Sequence, residues 1–202
     1  MGREFELKYR ADEQKIAAVR KAYGDFVSIA METAYYDTPD RVLGQQHWTL
    51  RRRYENGISV CTVKTPADGL GRGEWETECE SIEKAIPILC KLGAPDALRE
   101  LTAGGLEQVC AARFTRLAKT VEAPGCTVEL ALDQGVLLGG GREAPFAEIE
   151  VELKDGTEEA AVVFAQALAG AYSLVSEAAS KYKRALALTK ETSTGDSSPH
   201  TL

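Results

Sequence analysis

The chain has 202 residues, 44% of them hydrophobic, enough for one sizeable core and a single folded domain. Its 31 acidic and 24 basic residues leave a net charge of −7, which argues against a surface made to lie along a phosphate backbone, so no long nucleic acid is expected as a partner. The start shows no basic, apolar, small-residue leader, and no run nears the roughly 20 apolar residues of a membrane helix, so a cytoplasmic protein without a membrane partner is expected.

The first stretch, "REFELKYR", sets Glu4, Glu6, Lys8 and Arg10 against Phe5, Leu7 and Tyr9. Period two marks a strand with one apolar and one charged face. "DEQKIAAVRKAYGD" then spaces Ile16, Val19 and Tyr23 as on a helix that stops at Gly24. "TAYYDTPDRVL" reads as a strand ending in a turn at Thr38-Pro39-Asp40, and "WTLRRRYENGISVCTVKTP" as a hairpin whose Asn56-Gly57 supplies two positive-φ residues. "GRGEWETECES" alternates again, and Ser81 caps a helix in "IEKAIPILCKLG" that Pro87 kinks or shortens. A short helix is expected from Pro95 to about Thr102.

Three more strands, "AARFTRLAKTV", "CTVELALDQG" and "FAEIEVELK", form a second meander, and "TEEAAVVFAQALAGAY" and "SEAASKYKRALAL" are read as closing helices. "ETSTGDSSPHTL" has no apolar pattern, which divides the chain into a domain over 1–190 and a disordered tail over 191–202. The five cysteines are scattered, with no CxxC pair and only two histidines beside them, so neither a disulfide frame nor a zinc site is expected.

The charged face recurs. Glu74, Glu76 and Glu78 alternate with Trp75 and Thr77; Glu148, Glu150 and Glu152 alternate with Ile149 and Val151; Arg51 and Arg53 share a face that Arg52 leaves; Lys64 ends the next strand; Glu129 and Asp133 flank Ala131. Helices must cover the apolar faces, leaving the charged faces either solvated on an open sheet or converging inside a closed one. Each is nearly pure carboxylate or nearly pure Arg and Lys, where a merely wetted face would mix in Ser, Thr, Asn and Gln. Buried charge survives when paired or when it holds a metal or an ionic ligand. Carboxylates beside Arg and Lys suit a hard divalent cation and a polyphosphate.

"EFELK" resembles the ExExK signature of the CYTH superfamily, the triphosphate tunnel metalloenzymes, and "YYDTPD", "LRRR", "TVK", "EWETE", "ALDQG", "EIEVEL" and a late "SK" follow in that family's order over roughly residues 3 to 188. The run "ALDQG" followed by "AEIEVEL" is most similar to the bacterial inorganic triphosphatase branch, whose members often carry a second, helical CHAD domain without a counterpart in these 202 residues.

The resemblance implies an α+β fold: a closed eight-stranded antiparallel β-barrel with charged residues inside and helices outside. It implies metal-dependent hydrolysis of a triphosphate, preferably inorganic tripolyphosphate, with Mg²⁺ or Mn²⁺. Adenylyl cyclase, thiamine or nucleoside triphosphatase, and a non-catalytic polyphosphate or nucleotide sensor are the alternatives. By motif, Glu4, Glu6, Glu148, Glu150 and Glu152 would hold the metal, and Lys8, Arg51, Arg53, Lys64, Arg116 and Lys181 the phosphates. Glu4, Glu6, Lys8, Glu76 and Asp133 would serve catalysis.

One departure from the family pattern and three structural rivals stand beside these readings. The family often has a basic residue two positions before Arg116, where this chain has Phe114, and Arg113 has the wrong parity to replace it. Glu74, Glu76 and Glu78 fit charge balance as well as chemistry. Tyr35 and Tyr36 fit a core as well as a nucleobase stack. Asp133 fits a turn before Gly135 as well as a site.

Overall fold

The computed structural model of the chain describes residues 5–66 and 72–190. Nine strands and six helices follow in the order β1 (Glu6–Arg10), α1 (Glu13–Tyr23), β2 (Val27–Asp37), α2 (Val42–Gln45), β3 (Thr49–Glu55), β4 (Ile58–Pro66), β5 (Arg72–Glu78), α3 (Ile82–Lys91), α4 (Ala97–Thr102), β6 (Glu107–Ala123), β7 (Cys126–Gly139), β8 (Arg142–Gly156), α5 (Glu158–Tyr172), β9 (Val175–Ser176) and α6 (Lys181–Ala187). Local chemistry sets the boundaries. Asp12, Ser81, Thr157 and Ser180 each accept a backbone N–H of the first turn of the helix they precede. Asn56 and Gly57 take φ of 50° and 89° in the β3–β4 turn, and Pro87 is accommodated inside α3.

The strands form one antiparallel sheet in the order β5-β4-β3-β2-β6-β7-β8-β1-β9. Among the described residues the pairing is that of an open nine-stranded sheet, which bears out a large antiparallel sheet with helices and does not confirm the expected closed eight-stranded barrel. One edge of β1 pairs with β8, and the other is taken by β9 through Tyr9 opposite Ser176 and Arg10 opposite Val175. That leaves β5 and β9 as the two edges. The closing segment is also shorter in helix than its sequence suggests: Val175–Ser176 is strand, Glu177 donates its N–H to the Lys8 carbonyl at 2.8 Å, and the helix starts only at Lys181. Residues 191–202, read as a tail, lie outside the described residues.

Three clusters hold the layers together. On one face, α1 and α5 cover β1, β7 and β8 through Ile16, Val19, Ala161, Ala165 and Leu168 on Tyr9, Val128, Leu130, Leu132, Ile149 and Val151. On the same face, α3 and α4 cover β3 and β4 through Ile82, Ile86, Leu89 and Leu98 on Leu50, Cys61 and Val63. The opposite face carries the charges, and α6 packs on part of it, where Ala185 and Tyr182 meet Met31, Tyr35, Phe114, Leu137 and Phe146. All five cysteines are free thiols. Among the described residues no helix is long and apolar enough to cross a membrane.

Candidate functional site

Register fixes which side chains share the charged face. Across β1–β8, Glu6 lies opposite Glu152, Lys8 opposite Glu150 and Arg10 opposite Glu148. Across β7–β8 and β6–β7, Asp133 lies opposite both Glu148 and Arg116. Across β3–β4 and β4–β5, Arg51 faces Thr62, which faces Glu76, and Lys64 faces Glu74. The face has two halves of different character.

The half under α6 is a buried ion network. Asp133, Glu148 and Glu150 place carboxylate oxygens within 4.8 Å of one another. The Lys181 ammonium reaches all three, at 2.7 Å to Asp133 and 2.8 Å to Glu150, with Glu148 as its third partner. Arg116 donates bidentately to Asp133 at 2.8 and 2.7 Å and also to Glu150, and Arg184 donates to Glu148. Three buried carboxylates thus meet three cations, the balance that makes burial tolerable.

Burial alone would lower the Lys181 pKa, but Glu150, Asp133 and Glu148 reverse this and raise it. Burial opposes ionisation of Glu150 too, yet Lys181 and Arg116 hold its carboxyl well below the usual range. Glu148 goes the other way: burial pushes it up, against Lys181 and Arg184.

The other half, on β3, β4 and β5, sets Arg51, Arg53 and Lys64 against Glu55, Glu74, Glu76 and Glu78 and is incompletely bonded. Arg51 lies 3.7 Å and Lys64 3.2 Å from Glu74, and Arg53 pairs with Glu55. The buried Nε atoms of Arg51 and Arg53 and the Thr62 hydroxyl have no hydrogen-bond partner. Burial and the neighbouring Arg51 charge lower the Arg53 pKa, with Glu55 opposing. An incoming anion would relieve both the missing bonds and the repulsion.

On β1 and β8, at the other side of the buried network, Lys8 lies 3.8 Å from Glu6, and Lys154 bonds Glu152 at 2.8 Å. Glu6 and Glu152 keep about a quarter of their side chains exposed, at 27% and 26%.

The expected site residues thus fall on one face, with two qualifications. Glu4 lies outside the described residues, and Glu76 is exposed on the edge strand β5. Asp133 belongs to the buried network rather than to a turn. Arg52 faces away, donating to the Glu80 carbonyl at 2.8 Å, and Arg113 pairs with exposed Glu143 at 3.1 Å.

Phe114, where a cation was expected, packs edge-to-face on Phe146 with centroids 5.6 Å apart, and the Lys181 ammonium lies 5.0 and 5.6 Å from the two rings. Arg184 was not anticipated, although its position three residues after Lys181 puts both on one side of a helix, the signal that would have found it.

A family model for the CYTH domain matches residues 2–186. The chain belongs to the CYTH family. This CYTH chain is 31% identical over 160 residues to an inorganic triphosphatase of Haemophilus influenzae, a match covering 78% of this chain and 45% of that protein. It therefore spans less than half the length of that relative.

Among solved structures, it resembles PH1819 of Pyrococcus horikoshii with a TM-score of 0.61, 24% identity and coverage of 92% of this chain and 99% of that one. It also resembles HpAC1 of Hippeastrum, an adenylyl-cyclase-type protein described as having a dominant triphosphatase activity, with a TM-score of 0.61, 17% identity and coverage of 90% and 93%. At these identities the likeness of the CYTH structures is one of fold.

Proposed function

We propose that this CYTH chain hydrolyses a triphosphate, preferring inorganic tripolyphosphate, with the help of Mg²⁺ or Mn²⁺. The observation that supports this most directly is the gathering of Arg51, Arg53 and Lys64 on a charged face that also carries Lys8 and Arg116 and is met by Lys181. Such donors fit an anion with charge along its whole length. The family membership and the name of the Haemophilus relative point the same way.

The donor chemistry also fits a hard divalent cation. Glu6 and Glu152 are cross-strand partners with oxygen-only ligands and partial exposure, and Glu150 follows on the same face of β8. With Glu4 beside them in sequence, these residues would hold the ion. Glu148 is bonded to Lys181 and Arg184 and would support that set from below. The bound cation would neutralise charge on the phosphate oxygens as a Lewis acid.

In the reaction, Arg51, Arg53 and Lys64 bind the anion along its length, and Lys8, Arg116 and Lys181 bring positive charge to the reacting end. Water attacks the terminal phosphorus, the bond to the bridging oxygen breaks, and the water's proton passes to a carboxylate of the face, with exposed Glu76 and the Asp133 network as candidates. Orthophosphate and pyrophosphate leave.

The test is to measure orthophosphate and pyrophosphate released from tripolyphosphate by the wild-type chain with Mg²⁺, with Mn²⁺ and with chelator. Both products in equal amounts, lost on chelation, are expected. Turnover unchanged by chelator, or no cleavage, would overturn the reading.

A further inference from the structure

We infer that the hydroxyl of Thr62 is a further substrate-binding group, donating to a phosphate oxygen between Arg51 and Lys64. The residue sits in the middle of β4 and is completely buried. Its parity is that of Lys64, while Cys61 and Val63 pack into the apolar cluster on the opposite face. Across the ladders its neighbours are Arg51 on β3 and Glu76 on β5, so its Oγ1 stands among charged side chains. Yet that oxygen has no hydrogen-bond partner.

A buried hydroxyl with no partner is a net cost to the free protein, and valine has nearly the same shape without that cost. A purely structural position at the centre of a strand would be served at least as well by valine. Threonine is explained if its partner arrives with the ligand, held beside it by Arg51 on the adjacent strand and Lys64 on its own. The hydroxyl adds what the cations lack: a short, neutral donor fixed by the stiff χ1 of a β-branched residue, which sets the register of the anion. The role rests on the triphosphate reading for the identity of that anion.

The test is the pair Thr62→Val and Thr62→Ser, each examined for thermal unfolding without ligand and for tripolyphosphate affinity by calorimetry. Thr62→Val is expected to melt at least as high as the wild type and to bind tripolyphosphate about tenfold more weakly, while Thr62→Ser restores most of the affinity. A merely structural threonine would not move stability and affinity in opposite directions.

Thr62→Val with wild-type affinity would overturn the inference. So would a Thr62→Val protein that melts lower while Thr62→Ser also binds weakly, because both losses would then follow from packing. A wild-type chain that binds tripolyphosphate without cleaving it removes the hydrolase reading alone, and the same affinity ratio still decides the role of Thr62. A wild-type chain that binds neither tripolyphosphate nor pyrophosphate overturns both.

Discussion

Arg51, Arg52 and Arg53 are consecutive and chemically identical, and strand parity alone gives them different surroundings. Arg52 stands on the outer face, its guanidinium 5.1 Å from the Tyr54 ring and donating to the Glu80 carbonyl, while its two neighbours share the charged face with Lys64. Replacing either of the latter removes a charge-assisted donor, worth on the order of tenfold or more in affinity. Arg51→Ala and Arg53→Ala are therefore expected to raise the KM for tripolyphosphate by about tenfold or more, and Arg52→Ala to leave it within about threefold. Steady-state kinetics on the three variants check this, and equal effects would mean that the register of β3 is misassigned. The same scale limits the aromatic readings. Tyr35 is buried against Tyr182 with centroids 5.2 Å apart, and Tyr36 lies with the outer cluster, so neither ring is presented to a nucleobase.

At the scale of elements, α6 is held both by apolar packing and by the ion network beneath it. Its seven residues bury Ala185 in the cluster with Phe114 and Phe146, and Lys181 bonds three carboxylates that are otherwise close enough to repel one another. Removing one member of a buried network leaves uncompensated charge and costs roughly 3–5 kcal/mol. Lys181→Met is accordingly expected to lower Tm on the order of 10 °C as well as to abolish turnover, with scanning calorimetry as the check. Loss of turnover with an unchanged Tm would show that the network does not anchor the helix.

Much of the charged face is legible in the sequence, because period-two alternation in "EFELK", "EWETE" and "EIEVEL" by itself assigns each carboxylate to one side of its strand. Alternation reports the face and not the neighbouring strand. It does not reveal the two-residue strand at Val175–Ser176, too short to show a period, and hence hides the second partner of β1. The placement of α6 over the charged face is hidden as well, since it depends on contacts between residues far apart in sequence.

At the scale of the whole molecule, a chain of net charge −7 gathers Arg and Lys from β1, β3, β4, β6 and α6 on one face beside at least as many carboxylates. Negative groups at an anion site are explained by a bridging cation, and Glu6 is the most direct place to ask. Glu6→Gln keeps the size and loses the charge. It is expected to weaken Mn²⁺ binding, followed by calorimetry in the absence of substrate, by about tenfold or more while the far-ultraviolet circular dichroism spectrum stays unchanged. Wild-type Mn²⁺ affinity in that variant would remove Glu6 from the metal site.

The central claim is that the face is built for a ligand charged from end to end. A nucleoside would put neutral groups against cations, and Tyr35, the aromatic side chain on this face that the sequence offered for a nucleobase, is already covered by Tyr182. The most direct test is to compare tripolyphosphate with ATP at matched Mg²⁺ and Mn²⁺, measuring orthophosphate and cyclic AMP separately. A higher kcat/KM for tripolyphosphate with no cyclic AMP is the predicted result; cyclic AMP as the main product from ATP, or a higher kcat/KM for ATP, would contradict it.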